Sequence, residues 1–280
     1  MDVTPMIDAL EELAAASIKA EEGDYIGEDG LIYCHKCNTR KQTEVNILGT
    51  IRRPMCMCKC EAAKKAAEEE ERQRIKFEQK VKELRRMGFP EADMQNWTFA
   101  NDDLANEKIT KAAQKYVENF SELRKTGKGL LLYGNTGTGK TFTACEIANA
   151  LIDKGYPVLV TNFARILNTL QSTFEKQEYI DGFNSFQLLV IDDLGIERDT
   201  AYAKEQVFNI IDSRYRSGLP MIITTNLTME KIKNPDDIEN RRIYDRILER
   251  CFPIEVGGGS RRRKAVREDY EVMKNLLGLE

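Results

Sequence analysis

The rhythm of apolar and polar positions changes along the chain, and each change marks an element. Residues 5–20 set Met6, Leu10 and Leu13 beside Ile7, Ala14 and Ile18, the spacing of a short helix with one apolar face. Further on, EAAKKAAEEEERQRIKFEQKVKELRRMG predicts a long charged helix whose stripe Phe77, Val81, Leu84 follows i, i+4, i+7. Gly88 and Pro90 end it, and FPEADMQNWTFANDD has no clear period, which predicts a connector. From residue 106 helices alternate with short apolar strands: a helix, LLLYG, helix 140–154, PVLVT, helix 162–175, QLLVIDD, helix 203–217, PMIITTN. Strands apolar at nearly every position, separated by helices, predict a parallel sheet covered on both faces, a three-layer α/β domain. The expected organisation is an N-terminal module over 1–88, a connector over 89–105 and an α/β domain over 106–280.

Composition narrows the class. The 280 residues are 41% hydrophobic, enough for one sizeable core and a smaller module. No apolar run approaches the roughly 18 residues of a membrane span, and MDVTPMIDALEE is acidic where a signal peptide is basic and then apolar. A cytoplasmic protein without a membrane partner is expected. A formal net charge of −4 argues against coating nucleic acid with the whole surface, although Arg261, Arg262, Arg263 and Lys264 form a local basic cluster.

The chemistry concentrates at GNTGTGKT, residues 134–141, with a strand before and a helix after. Gly134, Asn135, Thr136, Gly137, Thr138, Gly139, Lys140 and Thr141 fulfil G-x-x-x-x-G-K-[ST], a strong signal in that context. The glycines let backbone N–H groups turn toward phosphate oxygens at the positive end of the following helix, Lys140 reaches the β and γ phosphates, and Thr141 offers its hydroxyl to Mg²⁺. LLVIDD puts Asp192 and Asp193 at the C-terminal edge of the sheet, where open α/β sheets bind ligands. Asp192 is the expected Mg²⁺ partner, and Asp193 the group that polarises the water attacking the γ-phosphate. At the end of the next strand, after Thr224 and Thr225, Asn226 is placed to orient that water.

Five of the seven cysteines crowd into residues 34–60 as close pairs, which in an intracellular protein favours metal over disulfides. Cys34 and Cys37 form a C-x-x-C knuckle, and Cys56, Cys58 and Cys60 a C-x-C-x-C cluster after 18 intervening residues. Cys34, Cys37, Cys58 and Cys60 are the expected structural Zn²⁺ ligands, with Cys56 able to replace a member of the second pair. His35, the only histidine, is expected to flank the site, and Cys145 and Cys251 to be buried apolar residues.

GNTGTGKT, LLVIDDLGIE, Arg214-Tyr215, ITTNL, RIYDRILERC and GGSRR together resemble the AAA+ ATPases of the DnaC/DnaI helicase-loader and IstB type over residues 95–280. The resemblance implies an AAA+ ATPase. It implies that Arg246 in RIYDR is an arginine finger completing the ATP site of a neighbouring subunit, and that Arg262, from G-x-S-x-R, is the sensor 2 arginine touching the γ-phosphate in its own subunit. The zinc module ahead of it resembles DnaI-like loaders, whose N-terminal part engages the replicative helicase. The implied function is an ATP-dependent loader that self-associates into a ring or spiral and delivers a DnaB-like helicase to single-stranded DNA. Arg165 and Lys176 are candidate DNA contacts. A transposition helper of the IstB kind is the alternative, and a P-loop small-molecule kinase a more distant one. Only 18 residues follow Arg262, short for a helical lid, and Asp-Asp stands where many relatives have Asp-Glu, so slow, switch-like hydrolysis is expected.

Overall fold

The computed structural model describes residues 20–195, 200–261, 270 and 273–277. The helix expected over residues 5–20, Arg262 and the end of LGIE therefore lie outside the described residues, apart from residue 20 itself. The chain divides into two compact units, Met1–Glu78 and Gln79–Glu280.

In the first unit, β1 (Tyr25–Ile26) pairs antiparallel with β2 (Ile32–Tyr33), and β3 (Val45–Ile47) with β4 (Thr50–Arg52). The second hairpin turns on Leu48 and Gly49, both at positive φ (50° and 87°), the paired left-handed conformation that suits the twist of a two-residue hairpin loop. Strands of two or three residues are too short for a period-two pattern, so the hydropathy pattern carried no sign of them. The charged helix follows as α1 (Lys59–Gly88).

The second unit is built on five parallel strands, β5 (Gly129–Tyr133), β6 (Val158–Asn162), β7 (Leu188–Leu194), β8 (Met221–Thr225) and β9 (Cys251–Glu255), in the order β6-β7-β8-β5-β9. Alternate side chains bury on opposite faces. Leu130, Leu132, Val158, Val160, Leu188, Val190 and Ile222 join one core with α2 (Glu107–Glu118) and α4 (Lys140–Asp153). Leu131, Leu189, Ile191, Met221 and Ile223 join the other with α5 (Phe163–Ser172), α7 (Ala201–Ser217) and α9 (Ile238–Arg250). Short helices α3 (Phe120–Thr126), α6 (Lys176–Gly182) and α8 (Met229–Lys233) complete the connections. The three-layer α/β architecture read from the alternating pattern is the one observed. No helix among the described residues is long and apolar enough to cross a membrane.

Strand β9 was not foreseen. Its sequence CFPIE contains Pro253, which has no N–H to donate to a ladder, and it follows α9 with no loop. An edge strand tolerates proline, and β9 pairs only with β5 among the described residues. The segment read as a connector folds against the second unit's core: Phe89 is buried, and Met94, Trp97 and Phe99 pack beside it with Val81 and Leu84 of α1. Asn149, on α4, fixes this segment. Its amide donates to the Met94 and Trp97 carbonyls, both at 2.9 Å, and its Oδ1 accepts from Arg85 at 2.9 Å.

Candidate functional site

The C-terminal ends of β5, β7 and β8 converge on one cavity of about 250 Å³, lined in part by Thr136, Gly137, Gly139, Lys140, Thr141, Asp193 and Asn226. It opens where α4 begins. Helices α5, α7, α8 and α9 start on Asn162, Thr200, Thr228 and Asp237, each of whose side chains accepts a backbone N–H. Helix α4 starts on Gly139 with no side-chain cap, so its first N–H groups stay available to an anion. Gly134 and Gly137 adopt φ of 141° and 85°, and a Cβ on Gly134 would sit 2.6 Å from the Val256 carbonyl oxygen. Only glycine turns the chain here without strain and clash.

Lys140 Nζ donates to the carbonyls of Gly134 and Asn135 (2.9 and 2.8 Å) and to Asn226 Oδ1 (2.8 Å). These oxygens hold the ammonium at the mouth of the loop. Thr141 Oγ1 donates to Asp192 at 2.9 Å, and Thr224 Oγ1 donates to the same carboxylate at 2.5 Å. Burial raises the Asp192 carboxyl; the Thr224 hydrogen bond opposes this, and the Asp193 charge adds to it. A buried carboxylate beside a second one, with a hydroxyl aimed at it, has the oxygen donors that Mg²⁺ takes together with phosphate oxygens. The register of β7 against β8 shifts between Ile191 and Leu194, so Asp192 and Asp193 face the single residue Thr224. Asp193 bulges with φ 61°, its N–H donating to Thr224 Oγ1 at 3.0 Å, and its carboxylate turns to the cavity. Thr224 thus ties both acids to β8. LLVIDD located the acids, but nothing in the hydropathy pattern pointed to the bulge or to Thr224 as their link.

The cavity is also lined by Trp97 and Phe142, which sequence reasoning passed over, and by Arg261, read there only as part of a basic cluster. The segment after β9 lies on the phosphate loop, with Arg261 N–H donating to the Gly137 carbonyl at 2.9 Å. The Arg261 guanidinium pairs with Asp102 (3.4 Å) and Asp103 (3.2 Å). The only sequence signal for it was its place beside Arg262 in GGSRR.

Arg246 is elsewhere, on α9, and is not among the residues lining the cavity. Its Nε donates to Asp212 at 2.8 Å, and its guanidinium lies 4.6 Å from the Phe208 ring centroid. Arg165 is exposed on α5, and Lys176 Nζ lies 5.3 Å from the Tyr202 ring centroid.

In the first unit, the Sγ atoms of Cys34, Cys37, Cys58 and Cys60 lie within 4.8 Å of one another. Cys60 Sγ is 3.1 Å from that of Cys58 and 3.5 Å from that of Cys34. Four sulfurs drawn from a knuckle and a helix start are the donor set of a closed tetrahedral zinc site. Cys56 points away, its sulfur 3.7 Å from the Arg40 carbonyl. His35 turns instead to Asp24, Nδ1 to Oδ1 at 3.1 Å. Cys145 and Cys251 are buried, as expected.

Comparison with known proteins agrees with this geometry. Over 207 residues, 68% of this chain, it is 25% identical to the replicative helicase loader DnaI of Bacillus subtilis (strain 168), covering 66% of that protein. It is 28% identical over 158 residues to the replicative helicase loader DnaC of Escherichia coli (strain K12), covering 55% of this chain and 63% of that one. The chain thus spans just under two thirds of the length of these relatives. A crystal structure of DnaI superposes with a TM-score of 0.53 at 25% identity, covering 62% of this chain and 95% of that one. The model of the IstB-like ATP binding proteins matches residues 57–269, and the chain belongs to that family.

Proposed function

We propose that this protein is an ATP-dependent loader that places a DnaB-like replicative helicase on single-stranded DNA, with ATP hydrolysis as a slow timing switch. The observation that carries the reading is the phosphate apparatus, Lys140, Thr141 and Asp193 on one cavity with Asp192 hydrogen-bonded to Thr141, in a chain whose relatives are named replicative helicase loaders.

Mg²⁺ held beside Thr141 and Asp192 would neutralise the phosphate charge. The backbone N–H groups at 137–141 and Lys140 bind the phosphates, Lys140 exchanging its carbonyl partners for phosphate oxygens. Asp193 accepts a proton from the attacking water, and Asn226, released by Lys140, orients it. Arg262 is assigned to the γ-phosphate of its own chain. Arg246 is assigned to the site of a neighbouring copy in a ring or spiral, because it lies away from its own cavity. A zinc ion at Cys34, Cys37, Cys58 and Cys60 holds the first unit's fold, and that module is assigned to the helicase. Arg165 and Lys176 are assigned to DNA, and the protein to the cytoplasm.

The family name favours one alternative, a transposition helper that binds duplex DNA and a transposase. Pull-down separates the two. Capture of a DnaB-like helicase, with ATPase activity raised by single-stranded DNA, supports the loader; capture of a transposase with no helicase overturns it.

A further inference from the structure

Phe208, Asp212 and Tyr215 stand at i, i+4 and i+7 on α7, one face of that helix, and all three meet a single side chain of α9, Arg246. Asp212 Oδ1 accepts the Arg246 Nε–H at 2.8 Å, and the Arg242 carbonyl accepts from Nη1 at 3.1 Å. The guanidinium lies 4.6 Å from the Phe208 ring centroid and 5.8 Å from that of Tyr215. Tyr215 is fixed in turn: its hydroxyl donates to Glu249 at 2.8 Å, and Arg250 Cζ lies 4.7 Å from its centroid.

Two arginines share the Asp212 carboxylate on unequal terms. Arg216 meets Oδ2 at 3.1 Å with a side chain 70% exposed, an ion pair open to water that holds little. The Arg246 side chain is 29% exposed against an Asp212 side chain 16% exposed. A guanidinium held at Nε and Nη1 and against two rings has given up most of its rotamer freedom before anything approaches it. Its Nη2 makes no hydrogen bond among the described residues. One end of the fork is thus left open to an incoming phosphate oxygen.

From this arrangement we infer that Asp212, with Phe208 and Tyr215 against the guanidinium, is a positioning residue that holds Arg246 in the pose in which it meets the nucleotide of a neighbouring copy. The inference rests on the assignment of Arg246 to that neighbouring site. Asp212 is not among the residues lining its own chain's cavity, so it acts on turnover rather than on nucleotide binding. It does so by fixing the arginine's orientation before the transition state forms. Its effect falls on the neighbour's site and not on its own.

Asp212→Asn keeps the shape of the side chain and removes its charge. In the full chain it is expected to lower turnover about ten- to hundredfold while ATP affinity, read by calorimetry, matches the parent. Chain mixing then separates positioning from a merely structural role. Arg246→Ala chains keep an intact phosphate site, and Lys140→Ala chains supply an intact arginine, so activity in the mixture comes from interfaces that combine the two. Adding Asp212→Asn to the Lys140→Ala chain is expected to cut the restored rate about ten- to hundredfold. Adding it to the Arg246→Ala chain, whose arginine is already gone, is expected to leave the restored rate standing. Phe208→Leu, which leaves the carboxylate in place and removes one ring face, is expected to repeat this one-sided loss, so the result does not hang on the stability of one variant. Equal loss from both placements of the two variants, or no loss from either placement, overturns the inference and leaves Arg246 as the finger. A mixture of Arg246→Ala and Lys140→Ala chains that restores nothing overturns the assignment of Arg246 and the inference with it.

Discussion

Lys140 donates to the carbonyls of Gly134 and Asn135 and to Asn226 Oδ1, which hold its ammonium at the loop where a phosphate would bind. A charge-assisted hydrogen bond to phosphate is among the strong ones, and Lys140→Ala should weaken ATP binding by on the order of a hundredfold, measured by calorimetry. Asp193→Asn removes a proton acceptor but no phosphate contact. It should bind ATP normally and turn it over about 10²- to 10⁴-fold more slowly; an unchanged rate in a phosphate-release assay would remove Asp193 from its role. A different residue contributes to the pH response of the fold. Glu146 on α4 is 1% exposed, its Oε1 has no hydrogen-bond partner among the described residues, and burial, with Asp102 and Asp103 adding to it and Arg261 opposing, pushes its carboxyl up to about 8. Between the unfolded value near 4.5 and about 8, the folded state holds a proton that the unfolded state has lost, so Glu146 lowers stability as pH rises through that window. Above it the loss is constant, at most about 5 kcal/mol. Urea unfolding of Glu146→Gln should show a flatter pH dependence than the parent and greater stability at the alkaline end.

Among the elements, legibility in the sequence followed length and repetition. LLLYG, PVLVT, QLLVIDD and PMIITTN could be read because each is apolar at nearly every position and each neighbours a periodic helix. The first-unit hairpins, only two or three residues per strand, could not. CFPIE was hidden by its proline. The phosphate loop and the two acids were visible as a motif because their spacing is local, whereas Trp97 and Arg261 meet at the cavity from opposite ends of the domain, and no local spacing records that. The segment at 89–105 was illegible for a related reason: Asn149, about fifty residues on, supplies the hydrogen bonds that its own sequence does not. Asn149→Ala leaves the Met94 and Trp97 carbonyls without these donors and should cost about 2 to 4 kcal/mol in denaturant unfolding. A stability change below about 0.5 kcal/mol would show the clamp to be incidental.

For the molecule as a whole, the proposed zinc site of the first unit and the sheet of the second should respond separately to metal removal. Metal analysis should find one zinc per chain. Chelation should melt the hairpins of the first unit, since zinc supplies on the order of 10 kcal/mol to modules of this size, and leave the melting of residues 79–280 in place. Loss of both transitions together would contradict it. Turnover should need two copies. An arginine supplied in trans is worth roughly 10³ to 10⁵ in rate, so activity per chain should rise with protein concentration. Mixing Arg246→Ala with Lys140→Ala chains should restore part of it, and a mixture that stays inactive would remove Arg246 as the finger.

Arg246 also sits at the end of a stiff connection. Helix α9 passes into β9 without a loop, β9 is hydrogen-bonded along its length to β5, and β5 runs directly into the phosphate loop, where Val256 N–H donates to the Tyr133 carbonyl at 2.8 Å. No flexible loop intervenes between the arginine's helix and the strand paired with β5. On the proposed assignment of Arg246 to a neighbouring copy, seating the arginine and filling the loop with nucleotide should bias each other by the same factor, since coupling free energy is reciprocal. Nucleotide affinity should therefore climb as copies assemble, and assembly should tighten with nucleotide by an equal ratio, which paired calorimetric and sedimentation titrations would read.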